Sequence, residues 1–505
     1  MKYYRVHTAD TAWITKQPRG IFTAISKLVD AKTMNEEEIA TYWKNRAYFE
    51  EVLPVPPYYE AGNPDGAVTW FKDTPEGNAI WAQMTFYRGM AGKYGMKLYR
   101  SECEELPGEV IYEDDFQIAV KDPKPEVPIV TKELDLRLDQ LFAEGKLVCP
   151  DYKNCIANLP NSILKQFGLM TVGPTLPLLD SYLEREYKNI VVLLLDGMGI
   201  SIMERHLKPD GAFRSHLAGT YNSTFLSTTT AATTSVLSGL QPCEHGWLGW
   251  DCYYPSIDKN VTVFLNIEQI TEEPVADYNV AWTVTPYVSV VERICESGQK
   301  AHLIAPFADP SLQSIDDVCG QIRELCAQPG PKYIYAYWNQ PDGLLHRNGG
   351  GTQIILDAMA HMEQVVSELA QELEDTLFIV TADHGHLDTD SVMLEDYPEL
   401  CDCLVRLPSL EPRALNLVVK EEKKEFFVQE FNRLFGDTFI LLPMEEVIER
   451  QLMGTGTPHP EFRGMLGDYL AIAISNFTIY YTEERWLSMH GSLTEDEMKI
   501  PLIVL

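Results

Sequence analysis

Three near-continuous apolar runs, each closed by an acidic residue, constrain this chain more than any other feature: NIVVLLLDG at 189–197, YIYAYWNQPD at 333–342 and TLFIVTADHG at 376–385. A strand with one wet face alternates apolar and polar residues, whereas a strand covered on both faces reads as an unbroken apolar run. With AHLIAPF at 301–307, these runs predict an α/β fold built on a mostly parallel sheet with helices on both faces. Helical stretches between them, such as QIILDAMAHMEQVVSELAQEL at 353–373, suit the crossovers that such a sheet requires.

In sheets of this kind, ligands bind beyond the carboxyl ends of the strands. Asp196, Asp342 and Asp383 each follow one of the runs, so they are expected to share one edge. His346 stands one helical turn after Asp342, His384 adjoins Asp383, and His490 follows downstream. Carboxylate and imidazole are the donors that hold zinc-like ions, and a set of this size suits a pair of them. Between the first two runs lies FLSTTTAATTSVLSG at 225–239, a hydroxyl-rich turn leading into a small-residue helix. The first turn of such a helix offers unpaired N–H groups to an anion, and its threonines fit two roles. One is an ordinary N-cap; the other is a nucleophile whose hydroxyl is acidified by a metal. His386, just past His384, is a candidate for contact with substrate or metal, or for support of a ligand. Trp250 heads a lower-ranked group with Trp247, Tyr253 and Tyr254, aromatics that either stack on a planar substrate or pack a core.

At 505 residues the chain exceeds a single average core. Residues 1–120 read as a separate α+β module, with a helix over 36–53 and another capped by Thr74 with Pro75 in its first turn. The stretch KDPKPEVPIV and the amphipathic KELDLRLDQLFAEGK after it read as a linker and junction helix over 121–148. The second domain is then 149–505. A net charge of −33, from 74 acidic against 41 basic residues, argues against strong nucleic-acid binding and against anionic membranes. No run approaches the roughly 18 apolar residues of a membrane span, and the N-terminus has no apolar core of a signal peptide. The ten cysteines lack paired C-x-x-C spacing. A soluble cytoplasmic protein with reduced thiols is expected.

Taken in order, LLLDGMG, F-x-S-T-T followed by TSVLSGLQPCEHG, QPDGLLH, TADHGH and MHGSLTEDEMKIPLIV resemble the alkaline phosphatase superfamily, most closely its type I phosphodiesterase/nucleotide pyrophosphatase branch. The resemblance covers 189–505 and leaves 1–120 without a relative. It implies two divalent ions, zinc with manganese as the alternative. One would be held by Asp196, Asp383, His384 and the nucleophile oxygen, the other by Asp342, His346 and His490. Alignment on Ser238-Gly239 places the nucleophile at Thr229, with Thr228 as the one-residue alternative. The implied activity is hydrolysis of a small anionic phosphomonoester or phosphodiester, nucleotide-like esters among them, through a phospho-threonine intermediate.

The resemblance further implies a small α+β cap insertion at about 395–485. Pyrophosphatases of this branch carry an Asn shortly after the H-G turn, where this chain has Trp250, so monoester and diester both stay open. A phosphomutase of the cofactor-independent phosphoglycerate mutase type is the alternative within the superfamily. A catalytically inactive binding or regulatory protein is the alternative from another class. A sulfatase is excluded, because STTTA at 227–231 lacks the C/S-x-P-x-R nucleophile motif.

Overall fold

Every residue of the strand Asn189–Leu195 is buried, as an unbroken apolar run predicts. In the computed structural model, which describes residues 1–59, 61–482 and 485–505, this strand lies inside a six-stranded sheet. It pairs in parallel with Lys332–Trp338 on one side and Thr376–Thr381 on the other, and Lys300–Ile304 extends the parallel set. The last strand, Lys499–Val504, runs antiparallel to Thr376–Thr381, and Leu217–Asn222 runs antiparallel to it in turn. The sheet is therefore mostly parallel with one reversed strand. Its core is aliphatic, and the helices Ile315–Ala327 and Gln353–Glu372 contribute Ile315, Ile322, Met359 and Val366 to it.

The parallel register has a direct chemical result. Just beyond the strand ends, the Asp196 amide donates to the Trp338 carbonyl at 3.0 Å, and the Asp342 amide donates to the Asp196 carbonyl at 3.0 Å. The acids that close two apolar runs are thus neighbours.

This sheet belongs to the unit Val148–Leu505, which holds a second, seven-stranded sheet. Its strand order is Ile267–Glu268, Lys259–Thr262, Asp251–Tyr254, Ser409–Glu411, Ala414–Leu417, Tyr469–Ala473, Phe439–Pro443. The insertion expected at about 395–485 is therefore not self-contained. Residues 251–268 complete its sheet, joined where Asp251 faces Leu410. Strand pairing between segments so distant in the chain leaves no local pattern to read.

The unit Met1–Leu147 is built on an antiparallel sheet in the order Glu109–Glu113, Gln117–Lys121, Val68–Lys72, Tyr3–Thr11, Tyr99–Cys103, Val130–Glu133, with Pro18–Gly20 paired to Tyr3–Thr11. The expected helices appear as Glu36–Val52 and Pro75–Gln83, the second capped by Thr74, whose Oγ1 accepts from the Gly77 amide at 3.2 Å. The segment 121–148 is not a linker. Val130–Glu133 pairs with Tyr99–Cys103 as an edge strand, and Arg137–Ala143 is a helix packed inside this unit. Its partner helix is Thr85–Lys93, where a side chain on Gly89 would meet the Asp139 carbonyl oxygen at 2.7 Å, so the glycine permits the close approach. No helix among the described residues is long and apolar enough to cross a membrane.

Candidate active site

The three strand-end acids converge with four histidines and one threonine. Gly197 makes the approach possible. It has φ +75, and a Cβ there would sit 3.0 Å from both Asp342 Cα and His386 Cδ2. Its amide donates to Asp383 Oδ1 at 3.1 Å, which joins the first apolar run to the third.

Around Asp196 and Asp383 the donor atoms are closely set. His384 Nε2 lies 3.3 Å from Asp196 Oδ1 and 3.5 Å from Asp383 Oδ2. Thr229 is the first residue of the helix Thr229–Ser238, and its Oγ1 lies 3.2 Å from His384 Nε2 and 3.5 Å from Asp196 Oδ1. Thr228 is different: its hydroxyl donates to Glu411 Oε1 at 2.5 Å. The Tyr337 hydroxyl donates to the other Asp196 oxygen, Oδ2.

The second group surrounds Asp342. From Asp342 Oδ1, His346 Nε2 is 3.3 Å away, His490 Nε2 3.7 Å and His386 Nε2 2.6 Å. His346 reaches it because Asp342 opens the helix Asp342–Asn348 and the two residues stand one turn apart. The rings of His384 and His490 stack with centroids 3.8 Å apart, which brings the two groups together.

Hydrogen bonds determine which ring nitrogens are free. Nδ1 of His346 donates to the Ser488 carbonyl at 2.8 Å, Nδ1 of His384 to the Gly385 carbonyl at 3.0 Å, and Nδ1 of His490 to the Ser227 carbonyl at 3.1 Å. A carbonyl only accepts, so each of these rings carries a proton on Nδ1 and turns its Nε2 into the site. Donor atoms about 2.0–2.2 Å from one tetrahedral zinc lie roughly 3.3 Å apart. The 3.3 Å and 3.5 Å separations in the Asp196 group and the 3.3 Å from Asp342 to His346 fit that edge. The 2.6 Å from His386 to Asp342 does not; it is the length of a hydrogen bond to a carboxylate.

The electrostatics show a site short of positive charge. Burial and the charge of Asp196 push the Asp383 carboxyl well above its ordinary range, and Asp383 Oδ2 is buried without a hydrogen bond. For His384, burial alone would favour the neutral ring, but the charges of Asp383 and Asp196 overcome it and raise the ring to about 10. Burial opposes ionisation of Asp342 too, and there the charge and hydrogen bond of His346, aided by His386, hold the carboxyl well below its ordinary value. Burial lowers His386 to about 4. Among the described residues none of Asp196, Asp342, Asp383 and Glu411 is ion-paired with Lys or Arg.

Two such donor clusters, Asp196–Asp383–His384 and Asp342–His384–His386–His490, have all their donor atoms within 4.8 Å of one another. His346 stands outside the second mutual cluster and meets it through Asp342. Trp250 is not linked by any recorded hydrogen bond or ring contact to these eight residues. Its ring is 42% exposed and lies 6.2 Å from Phe264. Of its aromatic neighbours in sequence, Trp247 and Tyr254 are buried. Glu411, 3% exposed beside Thr228, was not signalled by the sequence, because no motif surrounds it and its partner lies far away in the chain.

Residues 190–485 match the family described as type I phosphodiesterase / nucleotide pyrophosphatase. The chain belongs to that family, within the alkaline phosphatase superfamily, and by class it is a phosphoric ester hydrolase. Similar solved structures include human ectonucleotide pyrophosphatase/phosphodiesterase 5, 14% identical with a TM-score of 0.49 over 62% of this chain and 87% of that one. The murine protein, inactive and in complex with AMP, is 15% identical, with a TM-score of 0.47 over 63% and 87% of the two chains. Phosphonoacetate hydrolase from Sinorhizobium meliloti 1021, in complex with phosphonoacetate, is 15% identical, with a TM-score of 0.47 over 63% and 91%. Among curated proteins none matches significantly.

Proposed function

We propose that this protein hydrolyses a small anionic phosphoester, nucleotide-like esters among them, with two divalent ions and Thr229 as nucleophile. The observation that carries the reading is the placement of Thr229 Oγ1, 3.2 Å from His384 Nε2 and 3.5 Å from Asp196 Oδ1, at the rim of a buried group of acids that meets no Lys or Arg among the described residues. The donor set fits the metal: three imidazoles with Nε2 turned into the site, three carboxylates, and a buried Asp383 oxygen without a hydrogen bond. Asp196, Asp383, His384 and Thr229 would hold one ion, and Asp342, His346 and His490 the other. Imidazole-rich sites of this kind favour zinc, with manganese the alternative where carboxylate dominates.

When bound, such ions acidify a coordinated hydroxyl and neutralise charge on phosphoryl oxygens. The remaining steps belong to the chain. Thr229, held at the start of its helix, loses its proton and attacks phosphorus. The ester bond breaks, the alcohol leaves, and a phospho-threonine remains. Water then attacks the same phosphorus and releases the phosphate product, restoring the Thr229 hydroxyl. His386 is proposed to donate through Nε2 to Asp342, fixing that carboxylate rather than binding metal. All ten cysteines are free thiols, which supports a reducing compartment such as the cytoplasm.

The test is Thr229→Ala, assayed with p-nitrophenyl phosphate and its bis ester. Turnover is expected to fall at least about a thousandfold while elemental analysis still finds bound metal, because the other ligands remain. Wild-type turnover in that variant would remove Thr229 from its role.

A further inference from the structure

One buried carboxylate of the second unit has no part in the donor clusters, yet it touches the segments that carry them. Glu411 ends the strand Ser409–Glu411 and is 3% exposed. Its Oε1 accepts from the Thr228 hydroxyl at 2.5 Å and from the Trp250 amide at 2.8 Å. A Cβ on Gly491, the residue after His490, would meet the Glu411 Cβ at 3.0 Å. A single side chain therefore bears on the residue before Thr229, on the Trp250 segment and on the segment of His490.

The backbone is built to put it there. Leu410 has φ +76, a conformation that a residue with a branched side chain adopts only where its surroundings impose it. Those surroundings are the Asp251 pairing and Gly249, on which a Cβ would come 2.8 Å from Leu410 Cα. The contact also changes the helix start. Thr228 is the N-cap residue of Thr229–Ser238 but makes no side-chain cap bond, since its hydroxyl is turned to Glu411. The amides of the first turn are thus not claimed by the threonine that would ordinarily cap them.

We infer that Glu411 is a positioning residue for Thr229, holding the start of its helix through Thr228. Glu411 acts here as an acceptor oxygen for the Thr228 hydroxyl and the Trp250 amide, a role that does not depend on its charge. The inference rests on the phosphohydrolase reading above.

The experiment compares Glu411→Gln, Glu411→Ala and Thr228→Val with wild type on p-nitrophenyl phosphate and bis-p-nitrophenyl phosphate, with metal content measured in each. In Glu411→Ala, which leaves Thr228 and the Trp250 amide without an acceptor, kcat is expected to fall about tenfold or more on both esters with KM little changed. Glu411→Gln keeps an acceptor oxygen and recovers part of that loss.

Thr228→Val lowers kcat on both esters as well, and it tests the same contact if a Glu411 variant does not fold. Wild-type kcat in Glu411→Ala, no recovery in Glu411→Gln, wild-type kcat in Thr228→Val, or loss of metal from Glu411→Ala each overturns the inference. If the wild type hydrolyses neither ester, the functional reading itself fails.

Discussion

Buried carboxylates occur in both units, and their partners differ in kind. In the first unit Asp139 and Arg88 are both fully buried and meet at 3.0 Å, with the guanidinium also donating to the Trp81 carbonyl and Thr85. In the second, Arg413 grips Glu497 in the same way, at 2.7 Å and 2.9 Å. Asp196, Asp342 and Asp383 instead face histidines, a tyrosine and backbone amides, and no guanidinium or ammonium among the described residues. A buried ion pair answers its own charge, and its loss is a matter of stability. A cluster of buried acids met by neither Lys nor Arg is the proposed place for a metal ion, and its loss is a matter of chemistry.

That contrast can be broken in several ways. The largest expected effect is at Asp383, where Asp383→Asn removes both charge and the orphaned oxygen. Bound metal should fall by about one ion per chain and turnover by more than about a hundredfold; full metal content by elemental analysis would place the ion elsewhere. Next is His386→Ala, expected to weaken the Asp342 ion by about 10–100-fold in a competitive chelator titration. Complete loss of that ion instead would show His386 to be a ligand.

The structural pair should behave oppositely. Arg88→Met is expected to lower stability by about 3–5 kcal/mol in denaturant titrations while metal content stays at the wild-type level. Loss of metal in that variant would erase the distinction between the two kinds of buried acid.

The smallest effect concerns a buried histidine outside the site. The His245 ring accepts from the Trp247 amide at 3.0 Å through Nδ1, so it donates through Nε2 to Ser235 and is neutral. Burial lowers it from 6.5 to about 3. The unfolded chain binds a proton that the folded chain refuses, so its stabilising share is whole above about pH 6.5 and lost as pH falls toward about 3. Over the first pH unit below about 6.5, His245→Gln should reduce the acid-induced loss of stability by about 1 kcal/mol, read from melts at successive pH values. An unchanged pH slope would mean that the ring titrates normally.

How far the sequence could be read depended on whether a signal was local. The unbroken runs at 189–197, 333–342 and 376–385 reflect burial on both faces, and the helix expected over 353–373 is Gln353–Glu372. Val130–Glu133 was illegible because all four of its residues are exposed, so an edge strand read as a proline-rich linker. Trp250 showed the same limit: an aromatic near a motif does not say where its ring points.

The acids, histidines and threonine of the site were legible as residue types placed at strand ends, since strand burial and helical spacing are written residue by residue. Folding in three dimensions decided what each does. It turned Nδ1 of three histidines to carbonyls, spent Thr228 on Glu411 and left Thr229 beside His384 and Asp196. It also set His386 at hydrogen-bond distance from Asp342. These choices depend on hydrogen bonds between segments far apart in the chain, at distances that tenths of an ångström distinguish. No local pattern of residues encodes them.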